Sequence, residues 1–210
     1  MVLKRLLGCV DANVLANAVL TYNRIDELRL QYPQGQFEEE LTKLWDSYEP
    51  SRVAFLLFGS LMDGTLRYGA MLVSHLAILE VVSVIVQEYR SKQLWERHVP
   101  FRNWLHQQSK VLLTKQDYRD IRNGLNSFLR EFRLAGKLRI YDSYDLSVAH
   151  DLVTRYMCDA RDAILVATAV KHHSPYFISE DERLKKRLKD YSRTKIVSTQ
   201  HFLSIHSAEV

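Results

Sequence analysis

The 210-residue sequence is short of cysteine, proline and glycine, with two, four and seven residues respectively. The two cysteines, Cys9 and Cys158, are far apart, which excludes a dense disulfide framework and favours reduced thiols in a cytoplasm. No stretch approaches about 18 uninterrupted apolar residues, so we expect no membrane span. The N-terminus lacks the apolar core and cleavage site of a signal peptide, and we therefore expect a cytoplasmic protein without membrane contact.

Several catalytic motifs are also missing. The chain has no Gly-rich phosphate loop, no G-x-S-x-G elbow and no dinucleotide fingerprint. Asp11 and Asn13 resemble a phosphatase loop with two aspartates after the first strand, but an asparagine at the second position would remove the general acid of that loop.

Short apolar segments alternate with helical patterns along most of the chain. Strands are predicted at residues 3–10, 69–74, 137–141, 175–178 and 194–197. Because helical stretches separate these strands, the pattern predicts parallel β-α-β units and an α/β sandwich. We expect residues 1–210 to form a single domain.

The segment at about 23–67 has helical patterns on both sides of a break at Pro33 and Gly35. It is predicted to be a helical insertion, in which Pro50 ends the helix that follows this break. We expect the insertion to form a flap beside the ligand-binding crevice, or a surface for a homodimer.

Asp11 follows directly after the first predicted strand. A carboxylate in this position faces the crevice where open α/β sheets bind ligands, although Asp11 could also cap the next helix. Asp181 follows another predicted strand in the same way. Ser179 and Glu182 form a capping-box pattern there, which leaves Asp181 without a capping role.

Two more acids lie on apolar helices. Glu80 forms a polar stripe with Ser83, Gln87 and Arg90, and this stripe faces either water or the crevice. Asp162 is in the first turn of a helix that Asp159 is expected to cap. Four carboxylates in one crevice repel each other, so the pattern suggests a divalent cation, and oxygen-only ligands favour Mg²⁺ or Mn²⁺.

Four segments resemble motifs of the PIN-domain nucleases: Asp11–Leu15, the helix around Glu80, Asp162–Ala169 and Ser179–Asp181. The segment Val197–Leu203 is similar to the last strand and helix of that family. The resemblance covers residues 3–22 and about 70–205, and it implies a three-layer sandwich with a central parallel sheet. It also implies that Mg²⁺ or Mn²⁺ is bound by Asp11, Glu80, Asp162 and Asp181, with Asn13 and Ser179 supporting the site.

Bacterial toxins of the VapC kind are similar in their core but shorter, and the insertion at 23–67 is the main departure from them. A toxin of this kind would have an antitoxin protein as its partner.

The net charge of +4 is unevenly distributed. Residues 11–65 hold nine acids and four Lys/Arg, so the remainder is strongly basic. Basic helices around an acidic crevice suit a polyanionic substrate, but they could also be ordinary solvated faces. The candidates for contacts with a nucleic-acid backbone follow Asp181: Lys185, Lys186, Arg187 and Lys189.

Together these patterns predict a metal-dependent endonuclease that acts on RNA. The alternative is a non-catalytic module of the same fold that binds RNA or a protein partner.

Overall fold

The computed structural model describes residues 5–47, 49–66 and 69–207, and its centre is a five-stranded sheet. The strands are β1 (Arg5–Val10), β2 (Gly69–Ser74), β3 (Leu138–Tyr141), β4 (Tyr176–Ile178) and β5 (Lys195–Val197). They lie in the order β3-β2-β1-β4-β5, and every neighbouring pair is parallel. The predicted strands are thus confirmed, except that residues 3 and 4 lie outside the described part.

Helices cover both faces of the sheet, so the fold is the predicted three-layer α/β sandwich. The helices are α1 (Ala12–Gln31), α2 (Gln34–Ser47), α3 (Glu49–Met62), α4 (His75–Glu96), α5 (Trp104–Gln107), α6 (Lys115–Leu134), α7 (Leu146–Tyr156), α8 (Ala160–Lys171), α9 (Glu182–Arg187) and α10 (Thr199–Ser207). Short 3-10 turns at Phe101–Asn103 and Gln108–Lys110 flank α5. Within the described ranges, no helix is both long and apolar enough to cross a membrane.

The strand order creates a crevice beside β1. The chain passes from β1 to β2 on one side, while β4 and β5 lie on the other, so the connections diverge between β1 and β4. Open α/β sheets bind ligands at such a divergence, beyond the carboxyl ends of the strands. The register pairs Val10 with Ile178, so β1 and β4 end at the same level. The residues that follow these two strands therefore meet.

The predicted insertion is helical, but only part of it lies outside the core. α1 continues unbroken to Gln31, and none of the described side chains of α2 is buried. α3 instead buries Ala54, Leu57, Phe58 and Leu61, which belong to the same apolar cluster as the sheet. The flap prediction is therefore wrong for α3, which is a structural helix. Residues 48 and 67 of the predicted insertion lie outside the described part.

An aromatic cluster explains why α3 is held in the core. The ring of Phe58 is 5.2 Å from the rings of both Phe128 and Phe132 on α6, in edge-on arrangements that aromatic pairs prefer.

Pro50 was expected to end the preceding helix. It lies instead in the first turn of α3, where a proline loses no intrahelical hydrogen bond.

Candidate functional site

A pocket of about 350 Å³ lies at the carboxyl edge of the sheet and gathers all four predicted acids. Its lining includes Asp11, Glu80, Asp159, Arg161, Asp162 and Asp181, and we call it the acidic pocket. The four predicted acids come from four places in the chain: the ends of β1 and β4, and the helices α4 and α8. The structure therefore brings together residues that are up to 170 positions apart in the sequence.

Asp11 is the most deeply buried of these carboxylates, with 6% of its surface exposed. Its Oδ1 accepts a 2.6 Å hydrogen bond from the backbone N–H of Ala12, and its Oδ2 accepts a 2.5 Å bond from the hydroxyl of Ser179. Its own backbone N–H donates to the carbonyl of Ile178 at the end of β4. Asp11 is therefore both the cap of α1 and a fixed carboxylate in the pocket.

Ser179 connects the two strand ends. It is fully buried, and its Oγ accepts a 3.1 Å hydrogen bond from the backbone N–H of Asp181 while its hydroxyl donates to Asp11. Asn13 lies next to it, with Nδ2 3.5 Å from the Ser179 hydroxyl oxygen. The Oδ1 atom of Asn13 accepts a 3.4 Å bond from the backbone N–H of Glu180. Ser179 thus contacts two of the predicted ligands directly, and Asn13 lines the same pocket through its contacts with Ser179 and Glu180.

The capping assignment around Ser179 was wrong. The cap of α9 is Asp181, whose Oδ1 accepts from the backbone N–H groups of Arg183 and Leu184 at 2.7 and 3.1 Å. Ser179 is unavailable for this role because its hydroxyl is committed to Asp11 across the crevice, a contact that local spacing does not show. The other oxygen of Asp181 remains for the pocket.

The polar stripe on α4 runs along the edge of the pocket, where Ser83 and Gln87 are also exposed to water. Glu80, Ser83 and Gln87 all line the acidic pocket, whereas Arg90 does not. The Glu80 side chain is 22% exposed, and its Oε1 lies 3.5 Å from Nη1 of Arg161.

Asp159 caps α8 as the sequence predicted. Its Oδ1 accepts 2.9 Å hydrogen bonds from the backbone N–H groups of Arg161 and Asp162. The carboxylate of Asp162, in the first turn of α8, is therefore not needed for capping and lines the pocket.

Burial and mutual repulsion raise the pKa values of three of the pocket's acids, Asp11, Glu80 and Asp162. Burial raises the pKa of Asp11 from 3.8 to about 6, and the charges of Glu80 and Asp181 add to the rise, while the Ser179 and Ala12 hydrogen bonds oppose it. Burial also raises the pKa of Asp162 to about 6, with further contributions from Asp159, Asp11 and Asp181. The pKa of Glu80 rises through burial too, and Arg161 opposes that rise. The pocket therefore holds more negative charge than its own cations neutralise.

The donor set of the pocket fits a hard divalent cation. Carboxylate oxygens line it, with the hydroxyl and amide oxygens of Ser83, Gln87 and Asn13 beside them, and neither cysteine nor histidine is among its lining residues. As the side chains stand, no group of three or more His, Cys, Asp or Glu in the described residues is arranged to hold a metal ion. Glu80 in particular is turned toward Arg161. Metal binding would therefore require carboxylate side chains to rotate into the pocket.

The predicted basic residues lie near the pocket but do not line it. Lys185, on α9, is paired with Glu182 at 2.5 Å, and Lys186, Arg187 and Lys189 are exposed. The pocket's own cation is Arg161, which the sequence reasoning missed. The available signal was its position next to Asp162 in the first turn of a helix.

Comparison with known proteins adds no assignment. No protein-family model matches the sequence, and no curated protein matches it either. The resemblance to the PIN-domain nucleases therefore stays a prediction from the motifs.

Proposed function

We propose that the chain is a metal-dependent endonuclease that hydrolyses phosphodiester bonds, with RNA as its substrate. The observation that carries the proposal is the convergence of Asp11, Glu80, Asp162 and Asp181 in one pocket at the point where the sheet connections diverge. A fold has no structural need to gather four acids in one place, where burial and mutual repulsion raise the pKa values of Asp11, Glu80 and Asp162, so such clusters are found at functional sites. The resemblance of the motifs to PIN-domain nucleases is a second, independent support.

Each of the four acids has its own role in the proposed site. The Asp11 carboxylate, fixed by Ser179, and Asp162, freed from capping by Asp159, already line the pocket and would be the first two ligands of an ion. Asp181 would offer its second oxygen, and Glu80 would be the fourth ligand once its side chain turned away from Arg161. When bound, Mg²⁺ or Mn²⁺ supplies an activated water and neutralises the charge that grows on the phosphate.

Arg161 also has a role in this arrangement. Its guanidinium partly neutralises Glu80 in the metal-free pocket, and its side chain is 72% exposed and therefore free to turn. The exposed cations of α9 lie beyond Asp181, where they would contact the nucleic-acid backbone and contribute to affinity without reading sequence.

The alternative from another class is a non-catalytic module that keeps this fold and binds RNA or a protein. The observation that favours it is that Glu80 is paired with Arg161 and that no metal-holding arrangement is formed in the described residues. An antitoxin protein and a second copy of this chain also remain predicted partners.

A cleavage assay tests the proposal against this alternative. Labelled RNAs and single-stranded DNAs would be incubated with wild type, Asp11→Asn and Asp162→Asn in Mg²⁺, Mn²⁺ or EDTA. The matched control is Asp190→Asn, which makes the same chemical change at an exposed position outside the pocket. We expect metal-dependent cutting of RNA by wild type and the control, and its loss in both pocket variants. If folded wild type cuts nothing in either metal, the non-catalytic alternative is correct.

A further inference from the structure

A second and larger pocket lies directly beside the acidic pocket. It has a volume of about 730 Å³, follows the seam between α1 and α4, and is closed on one side by Leu44, Pro50 and Ser51 of the insertion. We call it the seam pocket. Asn13 and Val84 line both pockets, so a ligand bound at the acids could continue into the seam pocket.

The lining of the seam pocket is mostly apolar, with two polar side chains that lack partners. Leu20 and Val84 supply apolar surface, while Asn17 and Glu88 supply an amide and a carboxylate. Neither Asn17 nor Glu88 forms a side-chain hydrogen bond or ion pair with any residue in the described ranges. Glu88 is exposed, whereas Asn17 is half-buried, and a half-buried amide without a partner is a group that a ligand can satisfy.

We propose that the seam pocket receives one unpaired nucleobase of the RNA strand whose phosphate lies at the acids. This proposal rests on the proposed function, because it uses the acidic pocket as the place of the phosphate. The volume is within the range of small-molecule pockets. A base is flat, with apolar faces that suit Leu20 and Val84 and with a polar edge that a side-chain amide can bind through two hydrogen bonds.

The two polar groups predict which bases are accepted. The Asn17 amide both donates and accepts, and so it can pair with the edge of any base. The Glu88 carboxylate only accepts, so it favours a base with an exocyclic amino group, namely adenine, cytosine or guanine, over uracil. Because a base held in a duplex cannot turn into the pocket, cleavage should be confined to unpaired RNA.

Two measurements test the seam pocket. Binding of labelled RNA hexamers that differ in one base would be followed by fluorescence anisotropy in Ca²⁺, a cation that carboxylates also bind, and cleavage positions in a random-sequence RNA pool would be mapped in Mn²⁺. The variants are Asn17→Ala and Glu88→Gln, and the matched control is Asn126→Ala, at an exposed position on α6. We expect wild type and the control to disfavour uracil at one position. Asn17→Ala should weaken binding of the preferred bases by about fivefold or more, the value of one lost base contact, and Glu88→Gln should accept uracil.

The outcomes separate the two proposals. Base-selective binding that depends on Asn17, without any cleavage, would keep the seam pocket and reject the nuclease function. Cleavage with the same base preference in wild type and Asn17→Ala, or a preference for uracil in wild type, would reject the seam pocket and keep the nuclease. RNA that is neither bound nor cut would reject both.

Discussion

The hydroxyl of Ser179 donates a 2.5 Å hydrogen bond to Oδ2 of Asp11, across a separation of 168 positions in the sequence. Both residues are buried, and each follows one of the two strands that flank the point where the connections diverge. This contact holds the deepest carboxylate of the acidic pocket in a single position. The geometry of the proposed metal site therefore depends on a bond between the two halves of the sheet.

Ser179→Ala should destabilise the protein more at pH 8 than at pH 5. The Ser179 hydroxyl keeps the raised pKa of Asp11, about 6, from rising further, and at pH 8 it stabilises an ionised carboxylate. Loss of a hydrogen bond to a buried charged group costs about 2 kcal/mol in the free energy of unfolding. Urea denaturation in EDTA measures this, with Ser204→Ala, at an exposed hydroxyl, as the control. Equal losses at the two pH values would show that Ser179 acts through packing alone.

Asp11→Asn should stabilise the metal-free protein at pH 8. Because the pKa of Asp11 is raised from 3.8 to about 6 in the folded chain, its ionised form is disfavoured there relative to the unfolded chain. The resulting cost is absent below about pH 4, where both states are protonated, grows between pH 4 and 6, and is complete above pH 6. The Asp11→Asn substitution removes this cost, so it should raise the free energy of unfolding by at most about 3 kcal/mol at pH 8 and leave it unchanged at pH 4. A variant that is less stable than wild type at both pH values would refute this electrostatic description.

Arg161→Ala should tighten binding of Mn²⁺ to the acidic pocket. Arg161 is the cation that holds Glu80 at 3.5 Å, so its removal frees one carboxylate and makes the pocket more negative. Because the Arg161 side chain is largely exposed, we expect a modest gain of about two- to fivefold, greatest at low salt. Isothermal titration calorimetry checks this, and Arg161→Lys is the variant that retains the charge. Weaker binding by Arg161→Ala would mean that the arginine organises the site and does not compete with the ion.

Phe58→Ala should cost about 3–5 kcal/mol in the free energy of unfolding, because it empties a buried position in the aromatic cluster between α3 and α6. Trp45→Ala, on the outer helix α2, should cost much less, since Trp45 is only half-buried and contacts Phe55. Chemical denaturation of the two variants compares them directly. Similarly small losses in the free energy of unfolding for both variants would support the sequence prediction that the whole insertion is a flap.

The elements that the sequence predicted well are those with local signals. The strand Gly69–Ser74 has the predicted limits, and Ser74 caps α4 by accepting from the backbone N–H of Ala77. Hydrophobic periodicity and capping residues act within a few positions of one another, so they can be recognised in one sequence. The predicted strand ends also indicated that Asp11 and Asp181 lie close together, because parallel strands end at one edge of the sheet.

The parts that the sequence could not settle depend on contacts between distant segments. Whether Glu80 faced water or the crevice depended on how α4 packs, and the cap of α9 depended on the Ser179 contact with Asp11. The role of Arg161 was missed because its contact with Glu80 joins two helices that are far apart in the sequence. The burial of α3 likewise follows from rings on α6, more than 60 positions away.

Titration of Mn²⁺ at pH 8, followed by electron paramagnetic resonance of the free ion, tests most directly whether the acidic pocket exists to bind metal. The account predicts that wild type and Asp190→Asn bind Mn²⁺ with the same affinity. It also predicts that Asp11→Asn and Asp162→Asn weaken binding by at least about tenfold, since each loses a proposed ligand. Absence of binding by folded wild type, or equal affinity in Asp11→Asn, would contradict the central claim.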